Sequence, residues 1–540
     1  MKKLLVVLLA VLMTLVACQP APSAPAGSEA APVAEQPSPG KATETAVEPA
    51  AAAPAVVTAP KEITIGFPSY FFTRRGWTIE TDDGFTMSYI GMLETLVKVD
   101  FDGNMVPGLA ESWAQVDETT WEFKLRQGIS FTNGEPFNAE AVVKSLKYII
   151  NSPTPPRGIT ANTFLSIEAA DEHTVVIKTA KFDALVPNRL TSPTTGVLAP
   201  SAYIAESGPI NPFNTGTGPF ILTEEVPEQS LTMVKNPNYW GGEVKIDKAT
   251  VLLVPDPQIR AGMLQTGEID INLHLPVEQL PILEAKPEIS VLKLQTPRTT
   301  TLHLNMSRPP FDNLKVRQAV AHAIDKPAII DATLEGVAAP AIGVISPSEV
   351  WVNSDLKAYE YNPDKAKQLL AEAGYKEGEL TVNLWTYPAR ANLPLTALAI
   401  QDMLSKVGVK VEIRVAQYDV LEPDVLSGNY DMFIISRNHV LDNYDIEGFL
   451  TSDYSCEGSY NMVQFCDEKF ESLLTEASRS TDMEARYEIY RQLQAIIHEQ
   501  AAGVFLNYTE IVNGVRSNVL NYKVHPLERF VLTAELDVAP

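Results

Sequence analysis

The sequence predicts an α/β fold, because strand and helix patterns are interspersed along the chain and one stretch reads as strands joined by a crossover helix. The strand candidates are Glu62–Gly66, Trp121–Leu125, Thr174–Lys178, Val251–Val254, Thr301–Asn305, Thr381–Trp385, Val411–Val415 and Met432–Ser436, all rich in β-branched or aromatic residues. The clearest helix opens with Asn362 as N-cap and Pro363 at its first position. Its apolar face is Ala366, Leu369, Leu370 and Ala373, and Gly374 marks its end. Further helices are expected over about Phe137–Ile149, Leu314–Ile324, Leu395–Val407 and Met483–Glu499, where apolar residues recur three or four apart. Between Thr381 and Ser436 the order is strand, helix, strand, loop and strand, the order of parallel strands with crossovers. The chain shows no internal repeat of fixed period.

The first residues carry an address rather than fold. Lys2 and Lys3 precede an apolar run from Leu4 to Leu15, shorter than the roughly 20 residues a spanning helix needs. It reads as a secretory leader, residues 1–17. Leu15-Val16-Ala17-Cys18 resembles the bacterial lipobox, so Cys18 is the expected site of lipidation and the only expected membrane anchor. Residues 18–60 are dominated by Ala and Pro and bury too little apolar surface to fold, which makes them a tether. The expected location is exported, held to a membrane by lipid and facing the periplasm or cell exterior.

About 480 residues follow the tether, enough for two or three domains' worth of core. The formal charge of −25 argues against nucleic acid and against direct adhesion to anionic lipid. With Cys18 assigned, Cys456 and Cys466 remain as an even pair in an exported chain, for which a disulfide is the expectation. So short a loop, once closed, contributes about 2–3 kcal/mol. The competing metal pair lacks neighbouring His or Cys to complete four ligands. The seven histidines have no zinc-site spacing, so neither metal nor cofactor is expected. Thr215-Gly216-Thr217-Gly218-Pro219 lacks the Lys-Ser/Thr of a phosphate loop and reads as a backbone turn. Ser354-Asp355-Leu356-Lys357 matches a Ser-x-x-Lys pattern, but no Lys-Thr-Gly accompanies it. No catalytic constellation is present, and the chain is not expected to be an enzyme.

Several stretches occur in a specific order. Pro107-Gly108-Leu109-Ala110-Glu111-Ser112-Trp113 is followed by Trp121–Phe131 and Gly134-Glu135-Pro136-Phe137. Gly216-Thr217-Gly218-Pro219-Phe220 precedes Asn236-Pro237-Asn238-Tyr239-Trp240 and Gly267-Glu268-Ile269-Asp270. Pro310-Phe311-Asp312-Asn313, Val316–Val320, Ala323-Ile324-Asp325-Lys326 and the Asn362–Gly374 helix complete the series. Together they resemble the family 5 extracellular solute-binding proteins, which serve ABC importers of dipeptides, oligopeptides and nickel chelates. The resemblance implies a two-lobed periplasmic-binding-protein fold of type II, with a subdomain inserted in lobe one and a hinge between lobes. Expected bounds are 61–300 for lobe one with its insert, 301–506 for lobe two, and 507–540 for a C-terminal return to lobe one.

The same resemblance implies a site. In the dipeptide-binding branch an Ala-Arg pair after a lobe-two strand holds the ligand carboxylate, and Ala389-Arg390 stands there. An Asp-Asn-x-Asp loop holds the peptide amine, and Asp442-Asn443-Tyr444-Asp445 matches it. A zwitterion leaving water needs both partners, since unpaired buried charge defeats binding. Trp385 and Tyr387, leading to the first pair, and Arg437 and His439, ahead of the second loop, complete the expected ligand wall. The chain departs from the branch at Arg437, where the branch has Trp, and at Ala391 and Ile446, where it has Pro. Cys456 and Cys466 lie where the branch has a loop disulfide. The implied role is a monomeric binding lipoprotein that hands a short peptide, or another small solute, to an ABC permease and ATPase. The alternatives are a nickel or metallophore receptor with His439 as axial ligand, and a lipid-anchored chaperone or sensor.

Overall fold

The computed structural model describes residues 59–68, 76–80, 82–153, 155–156, 159–388, 392–440 and 444–539. The expectations for the leader, the tether and Cys18 fall outside the described residues, as do Arg390 and Asp442.

Two long antiparallel strands, Ile289–Leu304 and Gly503–Arg516, form the spine of an eleven-stranded sheet. Only Thr301–Asn305 of the first is legible in sequence, because Pro297 cannot donate to a ladder and argues against a strand. The structure accommodates it where the register shifts between Gln295 and Thr299, so the missing N–H interrupts nothing. The second strand is buried along most of both faces and therefore lacks the alternation that marks a strand. On one side of this pair lie Met432–Asn438, Thr381–Thr386 and, at the edge, Lys410–Val415. On the other lie Ile271–Asn272, Glu62–Phe67, Lys248–Leu253, Ser230–Lys235 and Phe220–Val226. A separate antiparallel sheet orders Ala110–Asp117, Thr120–Leu125, Thr174–Thr179 and Phe164–Asp171, with helix Ala139–Ile150 against it.

Local signals place the helices well. Asn362 accepts from the Lys365 amide at 2.9 Å, Pro363 opens the helix Pro363–Glu372, and Gly374 takes φ +94° beyond its end. Met483–Glu499 is helical over the expected bounds. One expectation fails: the segment between Val415 and Met432 holds a helix, Tyr418–Leu426, where a loop was expected. Pro423 inside it is the reason, since proline normally interrupts a helix.

Four apolar cores divide the described residues, the smallest of them gathering Leu264, Ile269, Leu275, Leu283 and Val512. The first gathers Ile63, Phe67, Leu109, Phe123, Leu146, Phe220 and Val251, with Leu536 and Val538 from the C-terminus. The second packs Leu302, Leu304, Val382, Leu384, Ile400 and Ile434. The third surrounds Trp351 with Ile345, Phe449, Tyr490 and Phe505.

The ordered motifs of the sequence are largely folding devices of the first core. The Gly216–Gly218 turn lies so close to Gly91 and Met92 that a Cβ on Gly216 would stand 2.0 Å from the Met92 carbonyl oxygen. Thr217, Tyr239 and Trp240 all donate to the Glu94 carboxylate, at 2.9, 3.1 and 2.7 Å, and Lys98 pairs with it at 2.6 Å. Glu94 is buried, so these partners satisfy a charge that would otherwise be costly.

Candidate ligand-binding site

The strands Thr381–Thr386 and Met432–Asn438 are neighbours and parallel, with Leu384 opposite Met432 and Trp385 opposite Phe433. Their carboxyl ends therefore emerge at one edge of the sheet, the position at which open α/β sheets bind ligands. The antiparallel strand from Ile289 brings Arg298 and Thr299 to the same edge, opposite Asn438 and Arg437. The first parallel strand leads through Tyr387 and Pro388 towards Arg390, and the second through Arg437 and His439 towards Asp442.

Tyr387 is buried, edge-on to Tyr418 at 5.1 Å between ring centres, and its hydroxyl accepts from the Ser436 amide at 3.4 Å. Trp385 is half-buried and carries the Arg414 guanidinium 4.3 Å above its ring. Arg437 forks onto Asp453, with Nε–Oδ2 at 2.9 Å and Nη2–Oδ1 at 2.8 Å, and stacks 4.4 Å over Tyr460. Its charge is thus matched from within the fold. Burial, helped by this guanidinium, drives the nearby His303 down to about 3, so that imidazole is neutral.

His439 is enclosed, its side chain 0% exposed. Its Nδ1 meets Glu349 at 3.1 Å and its ring packs against Phe449 at 4.8 Å, while Nε2 is buried without a hydrogen-bond partner among the described residues. Glu349 also accepts from the Trp351 indole at 3.1 Å and the Ser346 amide at 2.9 Å. Among the described residues no cluster of His, Cys, Asp and Glu could hold a metal ion. Thr386 Oγ1 and Ser436 Oγ, towards the ends of the two parallel strands, are buried without hydrogen-bond partners among the described residues.

The second Asp of the Asp-Asn-x-Asp sequence, Asp445, is fully buried in a network that sequence reasoning missed. Tyr490 donates to its Oδ1 at 2.6 Å, the Glu447 amide at 2.8 Å, and Arg486 lies 3.6 Å from its Oδ2. Arg486 also reaches Glu447 at 3.3 Å. The only sequence signal was an arginine on the buried face of helix Met483–Glu499. Burial and the neighbouring Asp445 carboxylate push Glu447 up to about 7, against the pull of Arg486. The stability contributed by a proton on Glu447 is present in full below its usual 4.5 and is lost as pH rises through 7. Glu447→Gln should therefore flatten the loss of stability across that window, read from urea midpoints at several pH values. Parallel curves for variant and wild type would show that Glu447 titrates normally.

Cys456 and Cys466 are joined, with Cα atoms 4.5 Å apart. The bridge closes the loop between helices Glu447–Tyr454 and Glu468–Arg479, where the Cys456 amide donates to Glu471 at 2.8 Å.

Together the architecture and the strand-end edge define a two-lobed α/β binding protein. The chain matches the family described as bacterial extracellular solute-binding proteins, family 5, over residues 104–461, and it belongs to that family. It is 31% identical over 431 residues to heme-binding protein A of Haemophilus influenzae, covering 73% of this chain and 77% of that protein. It is 28% identical over 453 residues to di/tripeptide-binding protein 1 of Pseudomonas aeruginosa, covering 78% and 84%. The crystal structure of a nickel ABC transporter protein from Bacillus halodurans superposes with a TM-score of 0.77 at 29% identity, covering 88% of this chain and all of that one. The protein is a solute-binding protein and not an enzyme.

Proposed function

We propose that this protein is the substrate-binding lipoprotein of an ABC importer and that it captures a short peptide between two closing lobes. The observation that carries the reading is the shared edge of the two parallel strands, from which the segments bearing Arg390 and Asp442 both depart. Arg390 serves the ligand carboxylate and Asp442 its amine. A di/tripeptide-binding protein among the relatives supports peptide as the solute class.

The proposed lobes are residues 61–300 and 301–506, with 507–540 returning to the first. Both boundaries fall within the paired long strands, where Thr300 faces Asn507 and Thr301 faces Phe505. The return is supported by the Val531 and Leu532 amides, which donate to the Tyr89 carbonyl at 3.1 and 3.0 Å.

Native mass spectrometry of the purified protein should reveal a bound di- or tripeptide. In calorimetric titration, Arg390→Ala and Asp442→Ala should each weaken a free dipeptide by a factor of about a few hundred or more. Amidating the dipeptide's C-terminus should mimic the first substitution and acetylating its amine the second. Equal binding of blocked and free peptides, or heat only with haem or a nickel chelate, overturns the peptide assignment. For the anchor, Cys18→Ser should shift the protein from the membrane fraction to the soluble exported fraction, and an unmodified soluble wild type refutes lipidation.

A further inference from the structure

Residues 97–107 form a hairpin that spans two cores. Its strands are Val97–Val99 and Met105–Pro107, and Val97 packs in the first core whereas Val99 packs in the third, with Ile345, Trp351 and Phe449. The tip is a tight turn in which Asp100 Oδ1 accepts from the amides of Asp102 and Asn104 at 2.9 and 2.8 Å. Gly103 sits there at φ +81°. Behind it, Phe101 packs on His525 and Phe530, at 5.1 and 6.5 Å. The turn is thus held in place independently of whatever it touches.

What it touches is Tyr444. The Tyr444 hydroxyl donates to the Gly103 carbonyl oxygen, and a Cβ at Gly103 would lie 2.9 Å from that hydroxyl. From the same side, the Asn188 side-chain amide donates to the Tyr444 carbonyl at 2.7 Å. Asn188 is buried between Val186 and Leu190 of the first core. Tyr444 is fixed from the other direction: its ring meets Trp351 edge-on at 5.6 Å, and the next residue is the buried Asp445. Burial raises the phenol above its usual range, so it remains a donor at neutral pH. Tyr444, packed against the third core, is therefore gripped at its hydroxyl by the tip of a hairpin rooted in the first and third cores and at its carbonyl by Asn188 beside the first.

We propose that Tyr444 is a latch that holds the two lobes shut over bound solute, with the Gly103 carbonyl and the Asn188 amide as its catch. The proposal rests on the two-lobe reading above and adds to it the residue that sets how long solute is retained. A latch that forms only on closure slows opening and leaves entry unaffected, so its loss appears in the release rate.

The test uses Tyr444→Phe, which keeps the ring on Trp351 and removes only the hydroxyl, Asn188→Ala, and the double variant. Stopped-flow fluorescence with alanyl-alanine and tri-alanine gives association and dissociation rates. Each single variant should release peptide about five- to tenfold faster, as expected for one lost hydrogen bond, with association changed less than twofold. A merely structural role for Tyr444 would lower the melting temperature and leave the rate ratio unchanged. Unchanged release in both variants, with wild type binding peptide normally, overturns the latch and leaves the peptide reading standing. If wild type binds neither peptide, the peptide reading fails, and small-angle scattering decides the latch. The double variant must then show a larger radius of gyration than wild type, and equal radii overturn the proposal.

Discussion

Arg486→Met is expected to destabilise the protein by about 3–5 kcal/mol, the cost of stranding buried carboxylates by removing their cation. The Arg486 side chain is 0% exposed and serves both Asp445 and Glu447, while its Nη2 donates to the Tyr490 hydroxyl at 2.7 Å. Methionine fills much of the same volume, so the loss reports charge rather than a cavity. Urea unfolding measures it. The decisive comparison is the triple variant Arg486→Met, Asp445→Asn, Glu447→Gln, which removes all three charges. It should recover a large part of the loss, because well-packed neutral groups substitute for buried ions at little cost. A triple variant as unstable as the single one would mean that packing, and not charge, is what Arg486 supplies. The network also bears on the proposed latch, since Asp445 follows Tyr444 directly and Glu447 two residues later, and both are held by Arg486.

Asp453→Ala is expected to be comparably severe, again about 3–5 kcal/mol, because it leaves the Arg437 guanidinium enclosed and unpaired. Asp453 has 4% of its side chain exposed and Arg437 has 19%. The other titratable groups beside Arg437 are His303, whose imidazole is neutral, and Tyr418 and Tyr460, whose phenols burial keeps protonated, so none offers a charge in compensation. Asp453→Asn retains hydrogen bonding without the charge and should cost roughly half as much. Replacing both partners by leucine should be milder than Asp453→Ala alone. If Asp453→Ala proves nearly neutral, Arg437 has found another anion. Such an outcome would point to the ligand edge, where the sequence reading expected this arginine to act.

That contrast shows where sequence reasoning stops. Arg437 and His439 were expected in the ligand wall because they stand just ahead of the Asp-Asn-x-Asp loop, and their contacts within the fold were not foreseen. Their partners, Asp453 and Glu349, stand 16 and 90 positions away, so nothing local announces them. Arg486 is harder still, since an arginine in a helix otherwise reads as a solvated face.

The sequence by itself determined what short-range physics controls. The Asn362 cap, Pro363 and Gly374 act within a few residues, and they mark the helix Pro363–Glu372 almost to its ends. The ordered motifs carried the family, because a turn such as Gly216–Gly218 admits no side chain against the backbone of Met92 and so is legible as glycine. The disulfide partners were legible too, since with Cys18 set aside as the expected lipidation site only Cys456 and Cys466 are left to pair. Tertiary structure decided the rest. The long strands Ile289–Leu304 and Gly503–Arg516 are strands because each pairs with the other across about two hundred intervening residues, a stabilisation invisible in either segment. The same holds for Tyr444, the unspecified position of its motif. Its contacts with Gly103 and Asn188 exist only once two separate cores have formed and met, so only the assembled fold could give it a role.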